Sequence, residues 1–211
     1  MKTIIFDFYG VIMKDPIGGL MPYVKRTYPD VSLDGVYSHW LKANIGALSS
    51  RDFFVNLGYT GDIRGIEKDY LDTLEIDEDF FPFAESLGKS YRMALLTNDI
   101  AEWNGYLREK FGLARYLEEI VVSGEVKIKK PDVEIYELIL KRLGSIASEC
   151  IYVDDRKSNL APAQSLGMDV VLFDNGMPWH DGGKGNEGYT GKMVRSFREL
   201  AQMLSPGNIK S

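Results

Sequence analysis

The residues best suited to chemistry in this sequence stand directly after short apolar runs. Clustered carboxylates raise one another's pKa values unless a cation lies between them. Mg²⁺ needs only one or two carboxylates, completed by substrate oxygens and waters, and lysine and threonine side chains can meet the remaining charge of a phosphoryl group. The residues that follow the apolar runs are Asp7, Thr97–Asn98, Ser123 and Asp154–Asp155, and Lys130 lies seven positions after Ser123.

These groups come together only if the apolar runs before them are parallel strands of one sheet. From residue 92 onward, such runs alternate with segments of helical periodicity, which indicates a parallel sheet with helices on both faces. Parallel strands place their carboxyl ends at one edge, where open α/β sheets bind ligands. We therefore predict an α/β fold with a Rossmann-like three-layer core, whose strands are Thr3–Phe6, Met93–Leu96, Ile120–Val122, Ile151–Val153 and Val170–Phe173.

The segment between the first two strands has a different character. Residues 14–90 contain no convincing buried strand, and their apolar residues recur at helical spacing. This segment is longer than an ordinary connection between a strand and its parallel neighbour. We predict a small helical subdomain at 14–90, inserted into a core formed by residues 1–13 and 91–211.

Composition narrows the class of protein. The 25 Lys and Arg residues against 31 Asp and Glu residues give a net charge of −6, which argues against a nucleic-acid binder. No apolar run approaches the length of a membrane span. The single cysteine, Cys150, and the lack of a recognisable signal peptide predict a cytoplasmic protein. We expect a monomer or a homodimer.

Four segments resemble, in order, the motifs of the haloacid dehalogenase-like hydrolases. Over its whole length the chain is similar to small phosphatases of the subfamily that carries a helical cap after the first strand, and residues 14–90 would be that cap. The segments are Phe6-Asp7-Phe8-Tyr9-Gly10-Val11, Leu95-Leu96-Thr97-Asn98, Lys130-Pro131-Asp132 and Tyr152-Val153-Asp154-Asp155-Arg156-Lys157-Ser158-Asn159.

The resemblance implies a phosphatase with a role for each motif residue. Asp7 would be the nucleophile that forms an aspartyl-phosphate. Lys130 would neutralise charge on Asp7 and on the phosphoryl oxygens. The remaining implied roles are phosphoryl binding by Thr97 and Asn98, Mg²⁺ ligation by Asp7, Asp155 and the backbone carbonyl of Tyr9, less favoured ligation by Asp154, and an outer supporting position for Asn159.

Tyr9 departs from the pattern of most phosphatases in this family, which carry aspartate there as general acid and base. A phenol can donate a proton to a leaving oxygen, but it is a poor base near neutral pH. Haloacid dehalogenases carry tyrosine at this position, so a second hypothesis is metal-free displacement of halide by Asp7. A third is a ligand-binding protein that has lost catalysis. The pair Asp154–Asp155 favours the phosphatase, because it is typical of a metal site.

A few other residues are weaker candidates. Arg51 is better interpreted as a surface charge of the insertion than as a substrate contact. His180 lies beside Trp179 in a glycine-rich stretch, and a position at the mouth of the site is its less favoured interpretation. The sequence does not specify the substrate, and sugar phosphates and nucleotides both stay open.

Overall fold

The structure, a computed structural model, describes residues 1–14, 20–30, 32–176 and 185–205. Its centre is a six-stranded sheet in the order β5-β4-β1-β6-β7-β8, in which every neighbouring pair is parallel. The strands are β1 Thr3–Phe6, β4 Arg92–Thr97, β5 Glu119–Val122, β6 Cys150–Asp154, β7 Asp169–Phe173 and β8 Met193–Val194, and a separate two-stranded ribbon pairs β2 Met13–Lys14 with β3 Glu75–Ile76.

Ten helices are found in the described part of the chain. Four of them lie between the two ribbon strands, and the others connect or follow the strands of the large sheet. The helices are α1 Leu20–Thr27, α2 Leu33–Ala43, α3 Ser50–Asn56, α4 Ile63–Asp72, α5 Phe80–Leu87, α6 Ala101–Lys110, α7 Ser123–Val126, α8 Val133–Leu143, α9 Lys157–Ser165 and α10 Phe197–Leu204.

The predicted α/β core is confirmed, and alternation along β1 shows how it is layered. Side chains of successive strand residues point to opposite faces of a sheet. Ile4 and Phe6 belong to the apolar cluster on one face, and Ile5 belongs to the cluster on the other. All three are fully buried, so β1 is covered on both faces, as expected for a central parallel strand.

The position of β1 in the strand order makes the site. β1 pairs with β4 on one side and with β6 on the other, so the connections leave β1 in opposite directions along the sheet. Such a switch point opens a crevice at the carboxyl ends of the strands. The residues that follow β1, β4 and β6 therefore meet around this crevice.

Helices α1 to α4, residues 20–74, form what we call the helical insertion. The β2–β3 ribbon closes the insertion at its base, where Met13 pairs with Ile76. This ribbon was not expected, because two-residue strands leave no periodic signal in a sequence.

Helix α5 lies inside the predicted insertion of residues 14–90 but packs against the large sheet. Phe80 and Phe83 on α5 contact Phe6 of β1 at ring-centroid distances of 6.0 and 5.9 Å, and both contact Phe197 of α10. These contacts group α5 with the core, whereas the sequence analysis included it in the insertion. Helical periodicity alone does not say which layer a helix covers, which explains the difference.

The helical insertion touches the core at a junction of two glycines. Gly46, at φ +65°, lies so close to Gly124 that a β-carbon on Gly46 would overlap the Gly124 carbonyl oxygen. Beside it, the Ser123 hydroxyl donates to the side-chain oxygen of Asn44 at 2.8 Å and accepts from the Asp99 N–H at 3.0 Å. The end of α2 is therefore held directly on the carboxyl end of β5.

We expect Gly46→Ala to destabilise the protein by more than its backbone conformation alone explains. Gly58→Ala is the matched control, because Gly58 has φ +82° but nothing within 4 Å of an added β-carbon. A left-handed conformation costs a non-glycine residue about 1–2 kcal/mol, and an overpacked contact adds about 1–3 kcal/mol. Urea denaturation of both variants measures the difference. Equal losses would contradict a tight junction at Gly46.

No helix among the described residues combines the length and apolarity needed to cross a membrane.

Candidate active site

Asp7 is the first residue after β1, and it is almost fully buried. Its N–H donates to the Val153 carbonyl at 2.8 Å, which continues the β1–β6 ladder and fixes the backbone. Its Oδ1 accepts from the Phe8 N–H at 2.6 Å and contacts Lys130 Nζ at 2.7 Å. Oδ2 receives no hydrogen bond from the described residues, so this oxygen is available for reaction. Burial, together with the charge of Asp154, raises the pKa of Asp7 to about 7 against the lowering effect of Lys130.

Lys130 is the cation between two buried carboxylates. It is 3 % exposed, and its Nζ lies 2.7 Å from Asp7 Oδ1 and 2.8 Å from Asp154 Oδ2. Burial opposes the charged form, but the Asp154 and Asp7 charges outweigh it and raise the pKa of Lys130. Lys130 therefore stays protonated and fixes the position of Asp7.

Asp154 is occupied by hydrogen bonds. It accepts from the Tyr152 hydroxyl, from the Arg156 N–H at 2.8 Å and from Asn159 Nδ2 at 3.0 and 3.1 Å. Burial disfavours its charge, but Lys130 and these donors lower its pKa below the usual value. Such a saturated carboxylate suits a structural anchor, and it places Asn159 in an outer, supporting shell.

Asp155 offers the more accessible carboxylate. No hydrogen bond reaches its side chain from the described residues, and its backbone carbonyl accepts from Asn186 Nδ2 at 2.8 Å. A β-carbon on Gly10, at φ +82°, would overlap Asp155 Oδ2, so glycine is required where the chain turns after β1. Burial and the charges of Asp154 and Asp7 raise the pKa of Asp155 well above its usual value.

The three carboxylates form a group with the dimensions of a cation site. Asp7, Asp154 and Asp155 each offer one oxygen, and these oxygens lie within 4.8 Å of one another. Burial, together with repulsion among these carboxylates, raises the pKa values of Asp7 and Asp155. An oxygen-coordinated divalent cation would relieve that repulsion, so the donor set fits Mg²⁺.

Thr97 is the last residue of β4, which pairs with β1, and Asn98 follows it. The Thr97 Oγ1 is fully buried and has no hydrogen-bond partner, an arrangement that costs free energy unless a ligand supplies one. The Asn98 side chain donates to the Lys130 carbonyl at 2.9 Å and accepts from the Lys130 N–H at 2.8 Å. Asn98 therefore positions the loop that carries Lys130.

A cavity of about 670 Å³ opens between these strand ends and the helical insertion. Asp7, Asn98, Lys130 and Asp155 line its core side, together with Tyr9. The volume lies within the range of roughly 300–1,000 Å³ that is typical of small-molecule sites. Six of the predicted site residues therefore line one pocket, whereas Thr97 and Asp154 are fully buried behind its surface. The six are Asp7, Tyr9, Asn98, Lys130, Asp155 and Asn159.

The family model for "haloacid dehalogenase-like hydrolase" matches residues 1–167. The chain belongs to this family of hydrolases. The predicted resemblance is therefore confirmed, and the protein is an enzyme of the hydrolase class.

Two characterised relatives are similar over most of the chain. The D-ribitol-5-phosphate phosphatase of Bacteroides thetaiotaomicron is 28% identical over 198 residues, which cover 85% of this chain and 95% of the relative. The flavin mononucleotide hydrolase 1 of Arabidopsis thaliana is 24% identical over 187 residues, which cover 83% and 73% of the two chains.

Solved structures share the fold at low identity. The Bacteroides thetaiotaomicron enzyme bt-2542 of this family, crystallised with magnesium and inorganic phosphate, gives a TM-score of 0.72 at 21% identity and covers 86% of this chain and 98% of its own. The L-2-haloacid dehalogenase of Xanthobacter autotrophicus gives a TM-score of 0.68 at 15% identity, with coverage of 97% and 98%. An enzyme crystallised with magnesium and phosphate and a haloacid dehalogenase therefore share this fold, so the fold alone does not specify the reaction.

Asp99 is a site residue of this hydrolase that the sequence analysis did not identify. It is 2 % exposed, and it accepts from the Tyr9 hydroxyl at 3.2 Å and from Asn104 Nδ2 at 3.0 Å. Burial raises its pKa to about 7. The Tyr9–Asp99 contact joins residues 90 positions apart, and no local pattern signals such a pairing.

Other predicted residues lie elsewhere. Ser123 ends β5 as predicted, but it takes part in the glycine junction and is not among the residues that line the cavity. Arg51 is exposed on α3 and also lies away from the cavity, in agreement with a surface charge. His180 lies outside the described residues.

Proposed function

We propose that this hydrolase cleaves phosphomonoesters of small metabolites through a phosphoryl-enzyme on Asp7, with Mg²⁺ as cofactor. One observation carries the proposal: Thr97 ends the strand that pairs with β1, and its buried Oγ1 has no partner. A transferred phosphoryl group would supply the missing acceptor. The activities of the two characterised relatives, both named for phosphate-ester substrates, support the same reaction class.

Asp7, Asp155 and the backbone carbonyl of Tyr9 would hold the Mg²⁺. When bound, the ion would supply positive charge beside the phosphoryl oxygens and remove the repulsion between the carboxylates. Asp154 would stay outside this ligand set, because Lys130, Tyr152 and Asn159 already occupy its oxygens. The fit rests on geometry, because the oxygens of Asp7 and Asp155 lie within 4.8 Å of each other and both residues line the cavity.

The protein's own residues account for the rest of the reaction. An Asp7 carboxylate oxygen attacks phosphorus, and the bond from phosphorus to the leaving alcohol breaks. Lys130 and Thr97 meet the charge on the phosphoryl oxygens. The leaving oxygen takes the proton of the Tyr9 hydroxyl, which lines the cavity. Water then attacks phosphorus and returns a proton to Tyr9, so that phosphate leaves and Asp7 is free again.

The helical insertion would act as the cap of this site. Its residues line the side of the cavity opposite Asp7, where a cap excludes water and selects the leaving group. The cytoplasmic location and the monomeric or dimeric state stay predictions from the sequence.

Phosphate release from an aryl phosphate, with Mg²⁺ and with a chelator, tests the reaction and its cofactor together. We expect release with Mg²⁺ and its loss in the chelator, with recovery when Mg²⁺ is restored. Release that is equally fast in the chelator would contradict the cofactor but keep the reaction.

Tyr9 favours a second candidate, metal-free displacement of halide by Asp7, since the dehalogenases of this family carry tyrosine there. Chloride release from 2-chloropropionate distinguishes the two reactions. We expect none, because Asp155 lies within 4.8 Å of Asp7 and lines the cavity, and a metal-free displacement of halide would leave this acidic residue without a role. Chloride release without phosphate release would replace the phosphatase proposal. A protein that does neither would fit the ligand-binding hypothesis.

Thr97→Val is expected to lower phosphatase turnover without lowering stability. The change removes a hydroxyl that has no partner in the folded protein, so the free energy of unfolding should stay equal or rise. Losing a donor to the phosphoryl group should lower kcat by about 10²–10³-fold. Steady-state kinetics and urea denaturation of the same preparation measure both quantities.

Thr3→Val is the matched control for that experiment. Thr3 is also fully buried with an unpartnered Oγ1, but it lies at the opposite end of β1 from Asp7. Its variant should keep wild-type kcat. Equal losses of activity in both variants would attribute the effect to packing rather than to the phosphoryl contact.

A further inference from the structure

We infer that the substrate is a primary phosphomonoester whose leaving alcohol carries a flat aromatic group, rather than a bare polyol phosphate. This inference rests on the proposed phosphatase function and adds the class of leaving group. It is drawn from the two unlike sides of the cavity.

The side contributed by the helical insertion is apolar. Six of its seven described lining residues are large and apolar or aromatic, and none of the seven carries an ionisable acid or base other than a tyrosine phenol. The seventh is Asn44, whose side-chain oxygen already accepts from Ser123 at 2.8 Å. The six are Leu20, Tyr37, Trp40, Leu41, Tyr70 and Leu74.

All charged residues that line the cavity come from the core. Asp7, Lys130 and Asp155 mark the end where the phosphoryl group would bind, so the leaving group must extend toward the apolar side. A polyol placed there would find few hydrogen-bonding groups, mainly the two phenols and the Trp40 N–H, and each hydroxyl left unpaired is costly to bury. An aromatic group would instead gain from the same surface.

Tyr37 and Trp40 provide a surface suited to a flat ring. They lie one turn apart on α2, and their rings are close to parallel, with centroids 6.0 Å apart and an interplanar angle of 28°. Tyr37 is 54% exposed, so a bound ring can cover much of its surface. Aromatic rings prefer offset stacking on such surfaces. A cavity of 670 Å³ has room for a ring system in addition to the phosphoryl group.

Flavin mononucleotide and D-ribitol 5-phosphate form a matched pair of substrates for the test. Both release phosphate from the same primary ribityl alcohol, so the chemistry of the leaving oxygen is alike and only the flat ring differs. We expect kcat/KM to be at least about tenfold higher for flavin mononucleotide. Phenylethyl phosphate, also a primary ester, is the smaller aromatic probe. Higher kcat/KM for ribitol 5-phosphate than for both aromatic probes would overturn the inference.

Tyr37→Ala and Trp40→Ala locate the effect. Each should raise KM at least about fivefold for the aromatic esters and change it less than twofold for ribitol 5-phosphate. Phe81→Leu is the control, because Phe81 is a partly buried aromatic residue that packs on Tyr116 and does not line the cavity. Equal effects of all three variants on all substrates would contradict a stacking surface.

A binding measurement separates failure of the substrate class from failure of the proposed reaction. Flavin fluorescence titrations with the Asp7→Asn variant give a dissociation constant without turnover, and ribitol 5-phosphate serves as the competitor. One outcome is that flavin mononucleotide binds tightly, and more weakly when Tyr37→Ala is added, while the wild type releases no phosphate. That result would overturn the proposed reaction and leave the substrate class standing. Binding no tighter than that of ribitol 5-phosphate would overturn the substrate class.

Discussion

Asp7→Asn is expected to abolish phosphate release, with a loss of at least about 10⁴-fold in kcat. The amide has nearly the same shape and can still accept the hydrogen bond from the Phe8 N–H, but it cannot form the phosphoryl-enzyme. Phosphate release at saturating Mg²⁺ measures the loss. Activity within tenfold of the wild type would show that another group is the nucleophile.

Stability and a second carboxylate provide the controls for this variant. Asp7→Asn removes a charge whose burial and repulsion by Asp154 raise its pKa to about 7, while Lys130 keeps its contact with Asp154 at 2.8 Å. The melting temperature should therefore stay equal or rise. Asp174→Asn should keep full activity, because Asp174 follows β7, two strands from β1, and does not line the cavity.

Lys130→Met is expected to cost both stability and activity. It preserves the length of the side chain but leaves the buried carboxylates of Asp7 and Asp154 without their shared cation. Removing one partner of a buried ion pair typically costs about 3–5 kcal/mol. Chemical denaturation measures the free energy of unfolding, and phosphate release should fall by about 10²–10³-fold, as for the loss of other charge-stabilising groups.

The loss of stability in Lys130→Met should depend on pH in a defined direction. Without Lys130 the pKa of Asp7 should lie above its present value of about 7, since Lys130 lowers it. A carboxyl whose folded pKa is above its unfolded value stabilises the fold at low pH, and that stability is lost as the pH rises through the folded pKa. The variant should therefore be closer to the wild type at pH 5 than at pH 8.

Two further variants test whether charge or packing causes that loss. Lys192→Met breaks the exposed pair with Asp169, whose side chains are 54% and 42% exposed, and should cost no more than about 1 kcal/mol. Adding Asp154→Asn to Lys130→Met removes one uncompensated charge and should recover part of the stability. If the double variant is no more stable than Lys130→Met, the loss comes from packing.

Local patterns in the sequence determined the framework of this protein. Strand β1 was predicted from an apolar run that ends at an acidic residue, and the parallel sheet was predicted from the alternation of such runs with helical periodicity. Both depend on neighbours within a few positions. Because parallel strands share a carboxyl edge, the same patterns sufficed to bring Asp7, Thr97 and Lys130 together.

Only the tertiary structure gave a physical difference between the two adjacent carboxylates. Asp154 and Asp155 are equivalent in the sequence, but β-strand alternation turns Asp154 toward Lys130 and Asn159 while Asp155 faces the cavity. The partners come from different loops, and their side-chain geometry is fixed only when those loops pack. The sequence analysis favoured Asp155 as the ligand through resemblance, and the hydrogen bonds of Asp154 give the physical reason.

The remaining features depend on contacts between distant segments. Tyr9 meets Asp99, Ser123 meets Asn44, and α5 covers the sheet rather than the insertion. Each contact joins residues at least 74 positions apart, and periodicity, capping and turn signals carry no information about such pairs. For the same reason the apolar side of the cavity, and with it the expected substrate class, became visible only when the helical insertion was placed over the strand ends.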